Sequence, residues 1–142
     1  MLRPTKIHDY LSQYSVTWRL TMPSGCPPED VEIPDSHNFL RLTHDEKGIL
    51  TNEDLLTYSE LDPHKNWGEL LPLSKGLSLI ATVAKAKKLL KLPNIRRQNL
   101  KGVAEICLIP TDGVVKQTSG QDQYTWWQTT SYNISHQNPV EL

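Results

Sequence analysis

Cysteine and net charge are both nearly missing from this 142-residue chain, and each shortage removes a class of function. Cys26 and Cys107 are its only cysteines, far apart and outside any Cys-x-x-Cys pair, which excludes a disulfide framework and a thiolate zinc site. Fifteen Lys and Arg against sixteen Asp and Glu leave a net charge of -1, without the basic excess usual in proteins that neutralise many phosphates. Long hydrophobic runs are lacking too. The longest, Val103 to Ile109, is broken by Glu105 and falls far below the ~20 residues of a membrane span. No basic-then-apolar signal pattern opens the chain, so a soluble cytoplasmic protein without membrane contact is expected. A Walker loop, a dinucleotide Gly-x-Gly-x-x-Gly, His-Glu-x-x-His, Gly-x-Ser-x-Gly and a calcium loop are all absent, as is any internal repeat.

What is present fits one domain over residues 1–142. Hydrophobic residues make up 37% of the chain, and a chain of this length can bury roughly 70% of its unfolded surface. Ile7, Tyr10, Leu11 and Tyr14 recur at helical spacing and predict a helix over 5–14. Val16, Trp18, Leu20 and Met22 then alternate with polar residues, as in a half-buried strand. Pro23, Pro27, Pro28 and Pro34 mark an extended surface loop. Residues 38–43 predict a strand with Phe39 and Arg41 on one face and Leu40 and Leu42 on the other.

Thr51 followed by Asp54 reads as a capping box opening a helix to about Leu61, where Asp62-Pro63 ends it. Residues 76–81 predict a strand, and Thr82 opens a helix that Pro93 stops. Gly102 to Ile109 carries the strongest strand pattern. The turn residues Pro110 to Gly113 predict a hairpin that returns 114–118 as its antiparallel partner. Tyr124 to Trp127 reads as a last short strand or an ordered aromatic segment, and a polar flexible tail is expected from about Thr129. The expected fold class is therefore α+β, with two or three helices packed on a small mixed or antiparallel sheet.

Charge is unevenly spread. Residues 29–69 carry eleven acids and three bases, whereas Lys85, Lys87, Lys88, Lys91, Arg96, Arg97 and Lys101 form a basic segment with no acid. Nucleic acid is a conceivable partner for it. Because the total charge is close to zero, pairing with the acidic segment inside the molecule is the simpler reading. Lys87, Lys88 and Lys91 also suit the carbonyl end of their helix.

Candidate chemistry is sparse. His44, Asp45 and Glu46 are adjacent, which suits a solvated turn better than convergence on a metal, and no metal is expected. Cys107 within the best strand reads as a small buried hydrophobe, and Cys26 in the proline loop as the more exposed thiol. Glu105 in an apolar strand must emerge at an edge or meet a cation such as Arg41. In a strand Trp126 and Trp127 face opposite ways, so one joins the core while the other stays open as a stacking surface.

Taken in order, Phe39-Leu-Arg41-Leu, Thr51 to Leu55, Gly76-Leu-Ser78, an alanine- and lysine-rich helix, 113–118 and Tyr124-Thr-Trp-Trp127 resemble a group of small uncharacterised bacterial proteins. That likeness bears on the fold boundaries and brings no activity with it. A strand-borne arginine followed by a Gly-x-Ser strand that runs into a helix also resembles the ADP-ribosyltransferase-like fold. This second resemblance implies NAD as cofactor, with Arg41 holding a cofactor phosphate and Ser78 near the nicotinamide ribose. The glutamate such enzymes place on a late strand has no good counterpart, since only Glu105 and Glu141 are available. With no catalytic signature, the leading expectation is a non-catalytic module that binds a protein partner and needs no cofactor. The candidate pocket residues are Arg41, Ser78, Glu105, Trp126 and Trp127.

Overall fold

A computed structural model describes residues 2–118 and 120–142. Its strands are β1 (Leu2–Lys6), β2 (Asp30–Pro34), β3 (His37–Thr43), β4 (Leu77–Ile80), β5 (Gly102–Leu108), β6 (Gly113–Gln117), β7 (Gln123–Gln128) and β8 (Gln137–Val140). They form one antiparallel sheet in the order β1-β2-β6-β7-β4-β3-β5-β8. The helices are α1 (Ile7–Tyr14), α2 (Tyr58–Leu61), α3 (Leu71–Ser74), α4 (Val83–Leu90) and α5 (Pro93–Arg97), so the fold class is α+β.

The sheet cannot be flat. Four inter-strand spacings separate β5 from β6, about 19 Å at the usual ~4.8 Å each. The link between them holds a single 3-10 turn, Pro110–Asp112, far too short to cross that distance. Accumulated strand twist instead folds one half of the sheet over the other. The core lies between the halves, where Phe39, Leu79, Ala104, Ile106, Val115 and Trp126 pack together. Two smaller clusters cover the outer face. Tyr10 of α1 meets Val31, Ile33, Val114 and Trp127, and Ala86 of α4 meets Leu40, Leu42, Ile80 and Val103.

Several elements differ from the sequence reading for identifiable reasons. Residues 114–117 pair with β7 and β2, not with β5; the true hairpin joins β6 to β7. Turn residues fix where a chain reverses but not which strand it returns to, and here β3 and β8 already occupy both edges of β5. Residues 16–22 make only one bridge, Trp18 to Thr129, so the expected strand there is absent. The proline loop ends in β2, because after Pro28 the residues Val31 and Ile33 alternate inward. Between 52 and 61 two short turns replace one helix. Thr51 and Asp54 form the first capping box, Leu56 is extended, and Thr57 and Glu60 form a second box that opens α2.

Beyond Thr129 the polar segment returns as β8 on β5, and Tyr132 and Ile134 pack against the core. Polar composition did not prevent docking, because main-chain pairing and Gln137 supply the hold: Gln137 accepts from Leu50 N at 2.6 Å and donates to Leu50 O at 2.9 Å.

Candidate functional site

β3 and β4 touch at only one pair, Leu40 opposite Ile80, and then diverge. Arg41 fills the opening. Its Nη1 donates to the Ser78 carbonyl at 2.8 Å, while Nε and Nη2 donate to the Asp54 carbonyl at 3.0 and 2.8 Å. Among the described residues Arg41 forms no ion pair. Burial lowers its pKa, opposed by weaker upward pulls from Tyr58 and Asp54.

Asp54 serves two neighbours with different atoms. Its carboxylate is fully enclosed and accepts from His44 Nδ1, from the His44 amide at 3.0 Å and from the Thr51 amide at 2.9 Å. A carboxylate so occupied fixes the His44 ring orientation and leaves its carbonyl for Arg41.

Around Arg41, at the opening between β3 and β4, three cavities run together as a groove. The first, about 330 Å³, lies among Tyr58, Trp67, Leu73, Ser78 and Thr125. A second, about 250 Å³, shares Tyr58 and Ser78 with it and adds Arg41, Leu92, Ile95 and Gln98. The third, about 270 Å³, shares Arg41 and Gln98 with the second and adds His44, Asp54 and Leu61. One wall is α4 and α5, fixed by the Thr82 cap on Lys85 N and by packing of Ala86. The other is the 56–74 segment, held to the body by Arg19, whose guanidinium bonds the Leu55 carbonyl at 3.3 Å and pairs with Glu60. The rim is unusually apolar, with Tyr58 53%, Leu61 62%, Leu70 57% and Leu92 43% exposed.

Of the five expected pocket residues, Arg41 and Ser78 share one cavity and the other three lie elsewhere. Trp126 and Trp127 are both fully buried, so neither is a stacking surface. Trp126 Nε1 donates to Asp112 O at 3.1 Å and Trp127 Nε1 to Pro72 O at 3.0 Å. They do face opposite ways, but the folded sheet buries one face and α1 with the 71–74 turn covers the other. Glu105 sits opposite Leu40, one residue out of register with Arg41 and therefore on the other side of the sheet. The anticipated Arg41–Glu105 pair does not form. Glu105 instead lines a separate surface cavity with Cys107 and His136.

The two cysteines exchange their expected environments. Cys26 is buried beside Met22 and Pro72, and that burial raises its pKa. Cys107 is half-exposed, because it shares the outward side of β5 with Glu105. No group of three metal-ligating side chains occurs among the described residues.

Electrostatic pairing also departs from expectation. The acidic segment takes its cations from the N-terminal region, through Lys6–Asp30 and Arg19–Glu60, and the His8 ring lies beside Glu29. None of the seven bases from Lys85 to Lys101 forms an ion pair among the described residues. The groove residues that sequence reasoning missed, Tyr58, Leu92 and Gln98, carry no motif; only the Thr57-x-x-Glu60 box was there to mark where Tyr58 begins a turn.

No described helix is long and apolar enough to cross a membrane. Comparison of the chain with family models, with curated proteins and with solved structures finds no match.

Proposed function

We propose that the chain is a non-catalytic binding module and that its binding face is the groove between α4–α5 and the 56–74 segment. One observation carries this reading. Three adjoining cavities share an exposed apolar rim, and contiguous exposed apolar surface is what a folded chain otherwise avoids. Apolar walls around a few polar groups suit a short segment of a protein partner, whose side chains enter successive cavities. Display selection of random dodecapeptides on the full chain tests it. Leu92→Asp and Tyr58→Ala should weaken the selected peptides at least about tenfold, while Ile49→Asp, exposed but away from the groove, should not. Equal binding by all three variants would remove the groove from the proposal.

A second reading draws on the shared cavity of Arg41 and Ser78: a transferase using a nicotinamide dinucleotide would place its cofactor there. Glu105 lines a different cavity, with Cys107 and His136, and that weighs against it. Calorimetry with the dinucleotide decides, and absence of heat and of thermal protection at millimolar ligand would eliminate this reading.

A further inference from the structure

We infer that the groove takes an acidic segment, one of whose carboxylates seats against the Arg41 guanidinium in the second cavity. This rests on the groove being a protein-binding face and adds the chemistry of what it binds.

Arg41 is a cation in search of an anion. Three of its five N–H bonds go to the carbonyls of Asp54 and Ser78, leaving one on Nη1 and one on Nη2 without a partner among the described residues. Those carbonyls orient the guanidinium but bring no counter-charge. The nearest carboxylate, that of Asp54, is already committed to His44 and Thr51. A partly enclosed guanidinium without a counter-ion is costly, and a ligand carboxylate meeting it through charge-assisted hydrogen bonds relieves that cost.

The lining selects which cavity and which anion. Glu53 and Asp54 line the third cavity, whereas no acidic residue lines the second. There Leu92, Ile95 and Leu100 form the walls, and Gln98 and Gln123 add amides. Apolar walls suit a carboxylate borne on or beside an apolar side chain better than a sugar and phosphodiester. Trp126 and Trp127 are buried and cannot stack on bases. The α4–α5 region that supplies one wall also carries the exposed Lys87, Lys88, Lys91, Arg96 and Arg97, none in an ion pair among the described residues, and this positive charge favours the approach of an acidic segment over a basic one.

The test compares N-acetyl-leucine with N-acetyl-leucinamide by heteronuclear NMR on the full chain, reading the Arg41 Nε–H and the methyls of Leu92, Ile95 and Leu100. The acid should shift both sets of signals, bind at least about tenfold more tightly than the amide, and weaken as salt rises. Equal binding of acid and amide overturns the carboxylate seat and leaves the groove reading standing. The same split follows if neither compound moves these signals while display-selected peptides still compete at the groove. Tighter binding of uridine 5′-monophosphate than of the acid overturns the inference in favour of a nucleic acid. If peptides, acid and amide all fail to perturb the groove, both readings fall.

Discussion

Arg41 and Ser78 bridge the place where β3 and β4 part: the guanidinium donates to the Ser78 main-chain oxygen at 2.8 Å, standing in for a ladder bond the strands do not make. The same side chain holds Asp54 O from the other direction. Arg41→Met should therefore leave two carbonyls without their donor and cost roughly 2–4 kcal/mol. Arg41→Lys, with a point charge in place of a fork, should recover only part of that. Urea denaturation of the three proteins measures the ranking, and a variant as stable as the parent would show that the bridge is dispensable.

Asp54 organises the turn that brings its own carbonyl to Arg41. Its buried carboxylate takes bonds from Thr51 and His44. Asp54→Ala should cost roughly 2–3 kcal/mol, and Thr51→Ala, which removes only the weaker hydroxyl contact of the cap, about 1 kcal/mol. Thermal melts check the order. Hydrogen exchange at the Thr51 and His44 amides should accelerate in Asp54→Ala before exchange in β5 does.

Gly113 enters β6 with φ of 134°, and a Cβ there would stand 2.1 Å from the Trp127 carbonyl oxygen. Main chain cannot yield as a flexible side chain would. Gly113→Ala should cost roughly 2–4 kcal/mol from the strained conformation and the displaced β6–β7 pairing. Gly120, with φ of 80° and open space around it, supplies the contrast: Gly120→Ala should lose only about 1 kcal/mol. Equal losses would mean that contact with Trp127 is irrelevant.

Glu60 gives stability a pH dependence. Burial alone would raise its pKa, but the hydrogen bond and charge of Arg19, with help from Thr57, outweigh burial and hold it below the ordinary 4.5. A carboxyl whose folded pKa is depressed binds fewer protons folded than unfolded. Its contribution is present above about 4.5 and disappears as pH falls through the folded value. Glu60→Gln should thus lower stability at pH 7 by about 1 kcal/mol and flatten the acid side of the melting profile. A profile parallel to that of the parent at pH 2.5–5 would contradict this.

Local pattern determined most of the elements: the helix from Ile7, the strands at 37–43, 77–80 and 102–108, and the Thr82 cap are all set by spacing and by residues within one turn of each other. Pairing was beyond it. Whether Val114 and Val115 lie beside β5 or β7 depends on which edges are already occupied, and on a sheet folded over far enough for four residues to join strands that are not neighbours. That folding buried Trp126, while packing of α1 and the 71–74 turn covered Trp127 and Cys26 and left Cys107 half-exposed.

Arg41 was legible as a residue needing a partner, but its neighbours were not. Alternation told which face it shares with Phe39; register, a relation between distant segments, set Glu105 out of reach and brought Asp54 and Ser78 within it. From the sequence alone came the elements, the α+β class and the presence of an arginine that must be satisfied. Tertiary structure decided what satisfies it, because hydrogen bonds across the sheet are fixed by long-range pairing, which periodicity along the chain does not encode.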